Sequence, residues 1–201
     1  MMDNSEPVRR FFRFLSSYRN LPEELHGYLL DNMRGKFYPA REILFEHGDI
    51  VKDAVFIFSG YVCAYGFNEW GGRQLISIHP GGAFIAARSF LLQSPSDLEL
   101  VALAGAYLIL IGHKEVMEIF ERFEGTRELA VGIIADFAEK EQMRLLLLSK
   151  EASAVVLEFY RSHPEILGSG LLLDADLASY MLIGEQTLRN VRMKLIKQGK
   201  L

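Results

Sequence analysis

The spacing of apolar positions changes along the chain and predicts regions built from different elements. Residues 6–33 and 114–150 carry apolar side chains at three- and four-residue steps, which is typical of helices. Between them, residues 35–112 form short β-prone runs that turn residues separate. Residues 151–201 return to helical spacing in short segments, with a break at Pro164. The pattern therefore predicts a β-rich region enclosed by helices.

The β-prone region predicts a series of short strands. Turn residues such as Gly60, Gly71 and Gly81 separate them, and no long helical pattern interrupts the series. Many short strands at regular spacing are typical of a sandwich or a barrel rather than of βαβ units. The predicted strands are 42–45, 54–58, 61–65, 74–78, 98–102 and 107–111.

A long helix is predicted to begin near Gly125, with Thr126 as its N-cap. A helix of ~25 residues is about 37 Å long, which exceeds what a small domain needs to cover its own core. Two interpretations stay open: a helix that covers the core, and a helix that pairs with its twin in a homodimer. The apolar positions assigned to the dimer interface are Leu129, Ile133, Phe137, Leu145 and Leu148.

Two short helices, over residues 173–181 and 185–198, are predicted to meet at a tight turn near the C-terminus. On the second helix, Leu188, Val191 and Leu195 fall at steps of three and four residues and form one packed stripe. A DNA-reading helix would turn the opposite face towards the major groove. That face carries Gln186, Arg189, Asn190, Met193 and Lys197.

The distribution of charge changes the interpretation of this helix. The 201 residues carry a formal net charge of −4, which taken globally argues against a nucleic-acid binder. The residues after Glu185 hold five cations and no acid, so they carry +5 and leave −9 on the rest of the chain. Such asymmetry is expected where one face neutralises phosphates, although a solvated helix with cations near its C-terminus gives the same run.

The remaining residues exclude several classes of protein. Cys63 is the single cysteine, so no internal disulfide and no thiolate-based zinc or iron–sulfur site is expected, and a reducing, cytoplasmic compartment is indicated. No apolar run reaches the ~18 residues of a membrane span, and the first residues lack the pattern of a signal peptide. The histidines share no metal-ligand spacing and no nucleophile elbow is recognisable, so neither a metal site nor an enzyme is predicted.

Four segments carry a family resemblance. Residues 37–49, 55–62 and 79–84 resemble the cyclic-nucleotide-binding domain of Crp/Fnr-type transcription factors. Residues 177–180 resemble part of the helix–turn–helix of the same family, and the order of the regions agrees over nearly the whole chain. Each motif alone is weak, whereas their combination is specific.

The resemblance implies both an architecture and partners. It implies an α+β fold with a jelly-roll sensor domain and flanking helices over residues 1–124, a dimerisation helix over 125–150, and a helix–turn–helix domain over 151–201. It also implies a cytoplasmic homodimer that senses a small molecule and binds a palindromic operator in duplex DNA, with RNA polymerase as a further partner.

The segment that holds cyclic nucleotide in the family departs from the family pattern here. Nucleotide-binding members use a Phe-Gly-Glu acid for the ribose hydroxyl and a later Arg-Ser or Arg-Thr cation for the phosphate. This chain has Ala86 in place of the acid and Ser96-Asp97 in place of the Arg-Ser pair, which removes the cation and adds an acid beside the phosphate position. We therefore expect no cyclic AMP binding in the family's manner and no cofactor. Two alternatives stay open: the domain binds a different effector or none at all, or Arg88 supplies the cation of an anion site. The residues of this degenerate pocket are Gly82, Phe84, Ile85, Ala86, Arg88, Ser96 and Asp97.

The DNA-reading end departs from the family as well. Leu182 stands where the family has glycine, and Asn190 stands where it has a base-reading arginine. Asparagine pairs with adenine rather than with guanine in arginine's manner, so a shifted or relaxed target is expected. The sequence ends where a β-hairpin wing would begin, which we expect to weaken affinity. The residues predicted to contact bases are Gln186, Arg189 and Asn190. Those predicted to contact phosphates or to support packing are Arg192, Lys194 and Lys197.

The leading hypothesis from the sequence is a Crp/Fnr-like transcriptional regulator with a degenerate nucleotide pocket. A second hypothesis is a small-molecule-binding or protein-interaction module of the same fold that has lost DNA binding, for which Leu182 and Asn190 are the motivation. A third is a true cyclic-nucleotide receptor that uses Arg88.

Overall fold

A computed structural model describes residues 4–69 and 71–201 of the chain. Met1 to Asp3, with which the predicted sensor domain begins, and Trp70 lie outside the described residues. The helices are α1 (Ser5–Ser16), α2 (Glu23–Asn32), α3 (Arg88–Leu92), α4 (His113–Arg122), α5 (Thr126–Leu148), α6 (Ala152–Ser162), α7 (Asp174–Tyr180) and α8 (Glu185–Lys197), with a 3₁₀ turn at Pro164–Ile166. The strands are β1 (Arg34–Tyr38), β2 (Glu42–Phe45), β3 (Asp53–Ser59), β4 (Tyr61–Phe67), β5 (Arg73–Pro80), β6 (Phe84–Ile85), β7 (Glu99–Ala102) and β8 (Ala106–Gly112).

The strands form two four-stranded sheets, in the orders β1-β8-β3-β6 and β2-β7-β4-β5. The pairs β1–β8, β3–β8, β3–β6, β2–β7 and β4–β7 are antiparallel. This architecture confirms the predicted α+β class with a β-sandwich. The sequence did not predict β1 or β6, because β1 is a partly polar edge strand and β6 has only two residues.

Two apolar clusters hold the β-rich region together. One is formed by residues of both sheets, including Val55, Val62 and Leu108, so it fills the interior of the sandwich. The other packs α1, α2 and α4 onto the first sheet, with Phe11 of α1 lying 4.9 Å from Phe56 of β3 between ring centroids. Burial of these apolar side chains is the main stabilising term of the region.

The chain divides into two compact units, which are described separately. The first comprises the residues up to Gly66 together with 78–135, and the second comprises 67–77 and 136–201. In the second unit, α8 buries Leu188 and Leu195 against α6 and α7, as the predicted apolar stripe requires. Ala178 of α7 is also buried, which lets the helices approach closely.

Helix α5 has 23 residues and corrects two predictions. Thr126 is not an N-cap, because its hydroxyl donates to the carbonyls of Phe123 and Ile119 in the preceding turn. Leu129 and Ile133 do not lie on a free interface, since both pack into the cluster beneath α1. Among the described residues, no helix is long and apolar enough to cross a membrane.

Candidate ligand cassette and nucleic-acid interface

The residues predicted to form the degenerate ligand pocket lie in one segment, residues 82–97, which we call the cassette. It begins at a glycine turn and continues through β6 and α3. Gly82 has φ +94°, a left-handed conformation that favours glycine, and its N–H donates to the carbonyl of Ile57 at 2.7 Å. Phe84 lies against Phe11 of α1, with ring centroids 5.0 Å apart, and Ile85 packs against the interior cluster of the sandwich. Ala86 is partly buried against the cluster beneath α1 and offers no polar group.

Arg88 and Asp97 face each other at the surface of the cassette. Arg88 Nη1 lies 3.9 Å from Asp97 Oδ2, and the two side chains are 75% and 87% exposed. The aspartate therefore offsets the charge of the arginine that the sequence offers for an anion. An exposed pair at this separation contributes little to stability because solvent screens it.

The other polar side chains of the cassette form hydrogen bonds that hold the loop after α3 in place. Ser89 Oγ donates to the carbonyl of Ser94 and accepts from the N–H of Val51. Ser96 is buried, with its Oγ donating to the carbonyl of Leu98 at 2.9 Å. Gln93 has φ +49°, and its side-chain amide donates to the carbonyl of Phe90 at 2.7 Å. Ser96 thus has a structural role here.

In the second unit, Leu182 lies in the turn that joins α7 to α8. Its φ is +54°, in the left-handed region, which explains why glycine suits this position. The side chain is 74% exposed, so packing does not compensate for the backbone strain. The turn nevertheless closes, because the N–H of Ile183 donates to the carbonyl of Ala178 at 3.0 Å.

Asp174 at the start of α7 binds two arginines of α8. Arg192 donates two hydrogen bonds to its carboxylate, at 2.7 and 2.9 Å, and a third to the hydroxyl of Tyr160 at 3.0 Å. Arg189 Nε donates to the same carboxylate at 3.0 Å, and Arg189 Nη2 donates to Glu185 at 2.8 Å. These contacts tie together α6, α7 and α8.

Hydrogen bonding from Arg192 holds the pKa of Asp174 below its usual value, and the same contact raises the pKa of Arg192. Both side chains are 25% exposed, so this pair is better shielded from solvent than the one in the cassette. Of the two roles that the sequence left open for Arg192, the packing role is therefore the one that its contacts support.

The outward face of α8 carries the other predicted DNA contacts. Gln186 and Asn190 are exposed and joined to each other, since Gln186 Nε2 donates to Asn190 Oδ1 at 2.9 Å. Lys194 and Lys197 are exposed as well, and so is the side chain of Met193. The structure thus brings an amide pair, an apolar side chain and two cations to one helix.

Sequence reasoning missed the part that Asp174 plays. The sequence did not single out this residue, because its partners lie 15 and 18 residues away across a turn. Tyr160 was missed for the same reason, since it comes from α6. An acid at the start of one helix with arginines on the next is the signal that would have found them.

Among the described residues, no group of three or more His, Cys, Asp or Glu side chains is arranged to hold a metal ion.

Comparison with known proteins adds a domain family and a shared fold. The family model of the cyclic nucleotide-binding domain matches residues 35–123. A comparison with curated protein sequences finds no significant match. FixK2 from Bradyrhizobium japonicum has a similar structure, with a TM-score of 0.67 at 16% identity over 83% of this chain and 86% of that one.

Two further structures share the architecture. The catabolite activator protein of Thermus thermophilus has a TM-score of 0.53 at 18% identity, over 89% of this chain and 84% of its own. A protein from Eubacterium rectale assigned to the transcriptional regulators of the Crp/Fnr family has a TM-score of 0.68 at 12% identity, over 90% of this chain and 86% of its own. Residues 35–123 thus match the cyclic nucleotide-binding domain family, and the chain has the Crp/Fnr-type fold that its sequence resembles.

Proposed function

We propose that the chain is a cytoplasmic, homodimeric transcriptional regulator of the Crp/Fnr type that binds duplex DNA through α8. The observation that carries the proposal is the two-helix arrangement of α7 and α8. One face of α8 is buried through Leu188 and Leu195, while the opposite face exposes an amide pair and cations. A helix held in this way presents its first turns to the major groove, where base edges are read.

Charge supports the same conclusion. Residues 186–201 carry +5 on a chain with a net charge of −4. Contacts within the protein engage Arg189 and Arg192, so Lys194 and Lys197 are the cations we assign to phosphates. Neutralising phosphates releases counterions, which makes binding strongly dependent on salt.

The exposed side of α5 supports a homodimer. At 100° per residue, Val131 and Ile134 lie 60° apart on one face of the helix, and both are exposed in the single chain, as is Leu145. Exposed apolar residues that neighbour each other in a row on a helix face favour association with another surface. Phe137 borders this row and is exposed too, and Leu148 is partly buried. An isologous pairing of two α5 helices buries the row.

The cassette supports a regulator that does not respond to cyclic AMP in the usual manner. A cyclic phosphate needs a cation, and Arg88 faces Asp97 instead. A ribose hydroxyl needs an acceptor, and Ala86 offers none. We therefore expect calorimetry with cyclic AMP or cyclic GMP to show no heat of binding, and a measurable affinity for either would contradict this part of the proposal.

The test of DNA binding is fluorescence anisotropy of the full chain with a mixed-sequence duplex of about 30 bp. Between about 50 and 200 mM salt, we expect affinity to fall more than about tenfold, and Lys194→Ala or Lys197→Ala to reduce the slope by about 1 each. Lys150→Ala, at an exposed lysine outside α8, is the matched control and leaves the slope unchanged. Absence of salt-dependent binding would refute the DNA-binding proposal and favour a module that has lost DNA binding.

The test of the dimer is analytical ultracentrifugation of paired variants. Ile134→Glu places a charge in the exposed row of α5 and is expected to dissociate the dimer. Met143→Glu is the matched control, because Met143 is exposed on the far side of the same helix. Dissociation by both variants, or by neither, would contradict the assignment of this row as the interface.

A further inference from the structure

The outward face of α8 carries a pattern of hydrogen-bonding groups that distinguishes between base pairs. In the major groove, adenine presents an acceptor at N7 and a donor at its N6 amino group, whereas guanine presents two acceptors. Arginine's fork of donors matches guanine, and a side-chain amide, with one donor and one acceptor, matches adenine. The base that α8 prefers therefore depends on which of these side chains are available.

Both arginines in the first two turns of α8 are engaged within the protein. Arg192 uses two guanidinium nitrogens on the carboxylate of Asp174, and Arg189 divides its donors between Asp174 and Glu185. Reading guanine with either arginine requires these charge-assisted bonds to break. The cost opposes guanine recognition by arginine on this helix.

The side-chain amides of Gln186 and Asn190 are exposed, and a hydrogen bond between them orients the amide of Asn190. Because Gln186 Nε2 donates to Asn190 Oδ1, the oxygen of Asn190 lies on the side of Gln186, which fixes which end of the Asn190 amide is the donor. Asn190 keeps both amide hydrogens and one lone pair of Oδ1 beyond this bond. A donor and an acceptor of known orientation are the groups that the edge of adenine requires.

Met193 adds an independent argument. It lies one turn beyond Asn190 on the same face, and its side chain is 57% exposed. An apolar side chain beside the reading amide matches the methyl group of thymine, which only an A·T pair presents in the major groove. Guanine and cytosine offer no such group.

We infer that α8 recognises an A·T base pair, with Asn190 on adenine, Gln186 orienting Asn190, and Met193 against the thymine methyl. This inference rests on the proposed DNA binding and specifies its target. It assigns Asn190 as the residue that determines specificity and Gln186 as a positioning residue.

The test is selection of the full chain on a random duplex library, with Asn190→Arg selected in parallel. The base pair that depends on residue 190 is the position at which the two recovered motifs differ. We expect adenine there for the native chain, preferred over guanine by about tenfold or more, and guanine for the Asn190→Arg variant. Gln186→Ala is expected to keep the preferred base and to reduce the preference, because the amide is no longer oriented.

Gln74→Ala removes an exposed amide outside α8 and is the matched control, with an unchanged motif. All substituted positions are exposed, so thermal unfolding is expected to verify that each variant is folded. A native motif with guanine at that position, or an Asn190→Arg motif identical to the native one, would overturn the inference while leaving DNA binding intact. If the native chain binds no duplex at either salt concentration, both the proposed DNA binding and the inferred A·T recognition are overturned.

Discussion

Two aspartate–arginine contacts of this chain, Asp97 with Arg88 and Asp174 with Arg192, use the same residue types and differ in burial. In the cassette, Arg88 and Asp97 are 3.9 Å apart and mostly exposed. In the second unit, Asp174 and Arg192 form two hydrogen bonds at 2.7 and 2.9 Å, and each is 25% exposed. Because solvent screens the first pair and much less the second, only the second is expected to hold structure together.

The comparison shows why residue type alone does not assign a role. An arginine near a predicted phosphate site is of no use to an anion when an aspartate faces it, as Asp97 faces Arg88. An arginine on a DNA-reading helix is of limited use to a base when Asp174 holds it. In each region, the neighbouring acid decides what the arginine does.

The largest effect is expected from Asp174→Ala. The substitution removes the acceptor of three arginine hydrogen bonds and leaves Arg192 partly buried without its acid, so the free energy of unfolding is expected to fall by about 1–3 kcal/mol. Chemical denaturation monitored by circular dichroism measures the change. A loss as small as that of Asp97→Ala would contradict the difference drawn between the two pairs.

Acid is expected to destabilise both units, and the first more strongly. Burial lowers the pKa of His79 to about 4, and burial also lowers the pKa of His163. Both groups bind protons more readily when the chain is unfolded, so the stability that each contributes is complete above its pKa in the unfolded chain. For His79, this contribution is lost as the pH falls from about 6.5 towards 4.

We expect a loss of about 1–3 kcal/mol between pH 7 and 4, of which His79→Gln removes the larger part. Urea unfolding at a series of pH values measures it, and NMR titration of the two imidazoles checks the order of the pKa values. A His79 that titrates above His163 would reverse the comparison.

A smaller effect separates Leu182 from Gln93, the non-glycine residues with left-handed backbone in the part of the chain that the structure describes. Leu182→Gly is expected to raise the free energy of unfolding by about 0.5–1 kcal/mol, since glycine relieves the strain at φ +54° and little packing is lost. Gln93→Gly is expected to give no gain, because it removes the hydrogen bond from the side chain to Phe90.

Leu182→Ala is the control, since alanine keeps the Cβ that causes the strain. Thermal unfolding of the three variants gives the ranking. Equal stabilisation by Leu182→Gly and Leu182→Ala would attribute the effect to the exposed side chain instead of the backbone.

The smallest effect is expected in the cassette. Arg88→Ala and Asp97→Ala are each expected to change the free energy of unfolding by less than about 0.5 kcal/mol, because both side chains are exposed and their charged atoms are 3.9 Å apart. Denaturation at low and high salt measures both variants. A loss above about 1 kcal/mol would show that the pair is structural, as Asp174 and Arg192 are.

Much of the fold followed from local pattern. The alternation of short apolar runs and turns predicted most of the strands, and the three- and four-residue steps of α8 predicted that Leu188 and Leu195 are buried. Leu182 was identified as out of place from the sequence, and its positive φ gives the physical reason. These features depend on residues close together in the chain.

What the sequence did not predict depends on long-range contacts. The strand β1 was missed because its polar residues are acceptable only at the edge of a sheet. Leu129 and Ile133 were assigned to a dimer interface because periodicity does not tell which surface an apolar face covers. Asp174 and Tyr160 reach Arg192 across 18 and 32 residues, a distance over which no local pattern operates.

The most direct test of α8 as the nucleic-acid interface is hydrogen–deuterium exchange of the full chain with and without a saturating duplex. We expect DNA to slow exchange at the N-terminal turns of α8, within residues 185–197, and to leave exchange in the cassette at 84–97 unchanged. Unchanged exchange in α8 in the presence of duplex, or protection confined to 84–97, would contradict the claim that the outward face of α8 is the nucleic-acid interface.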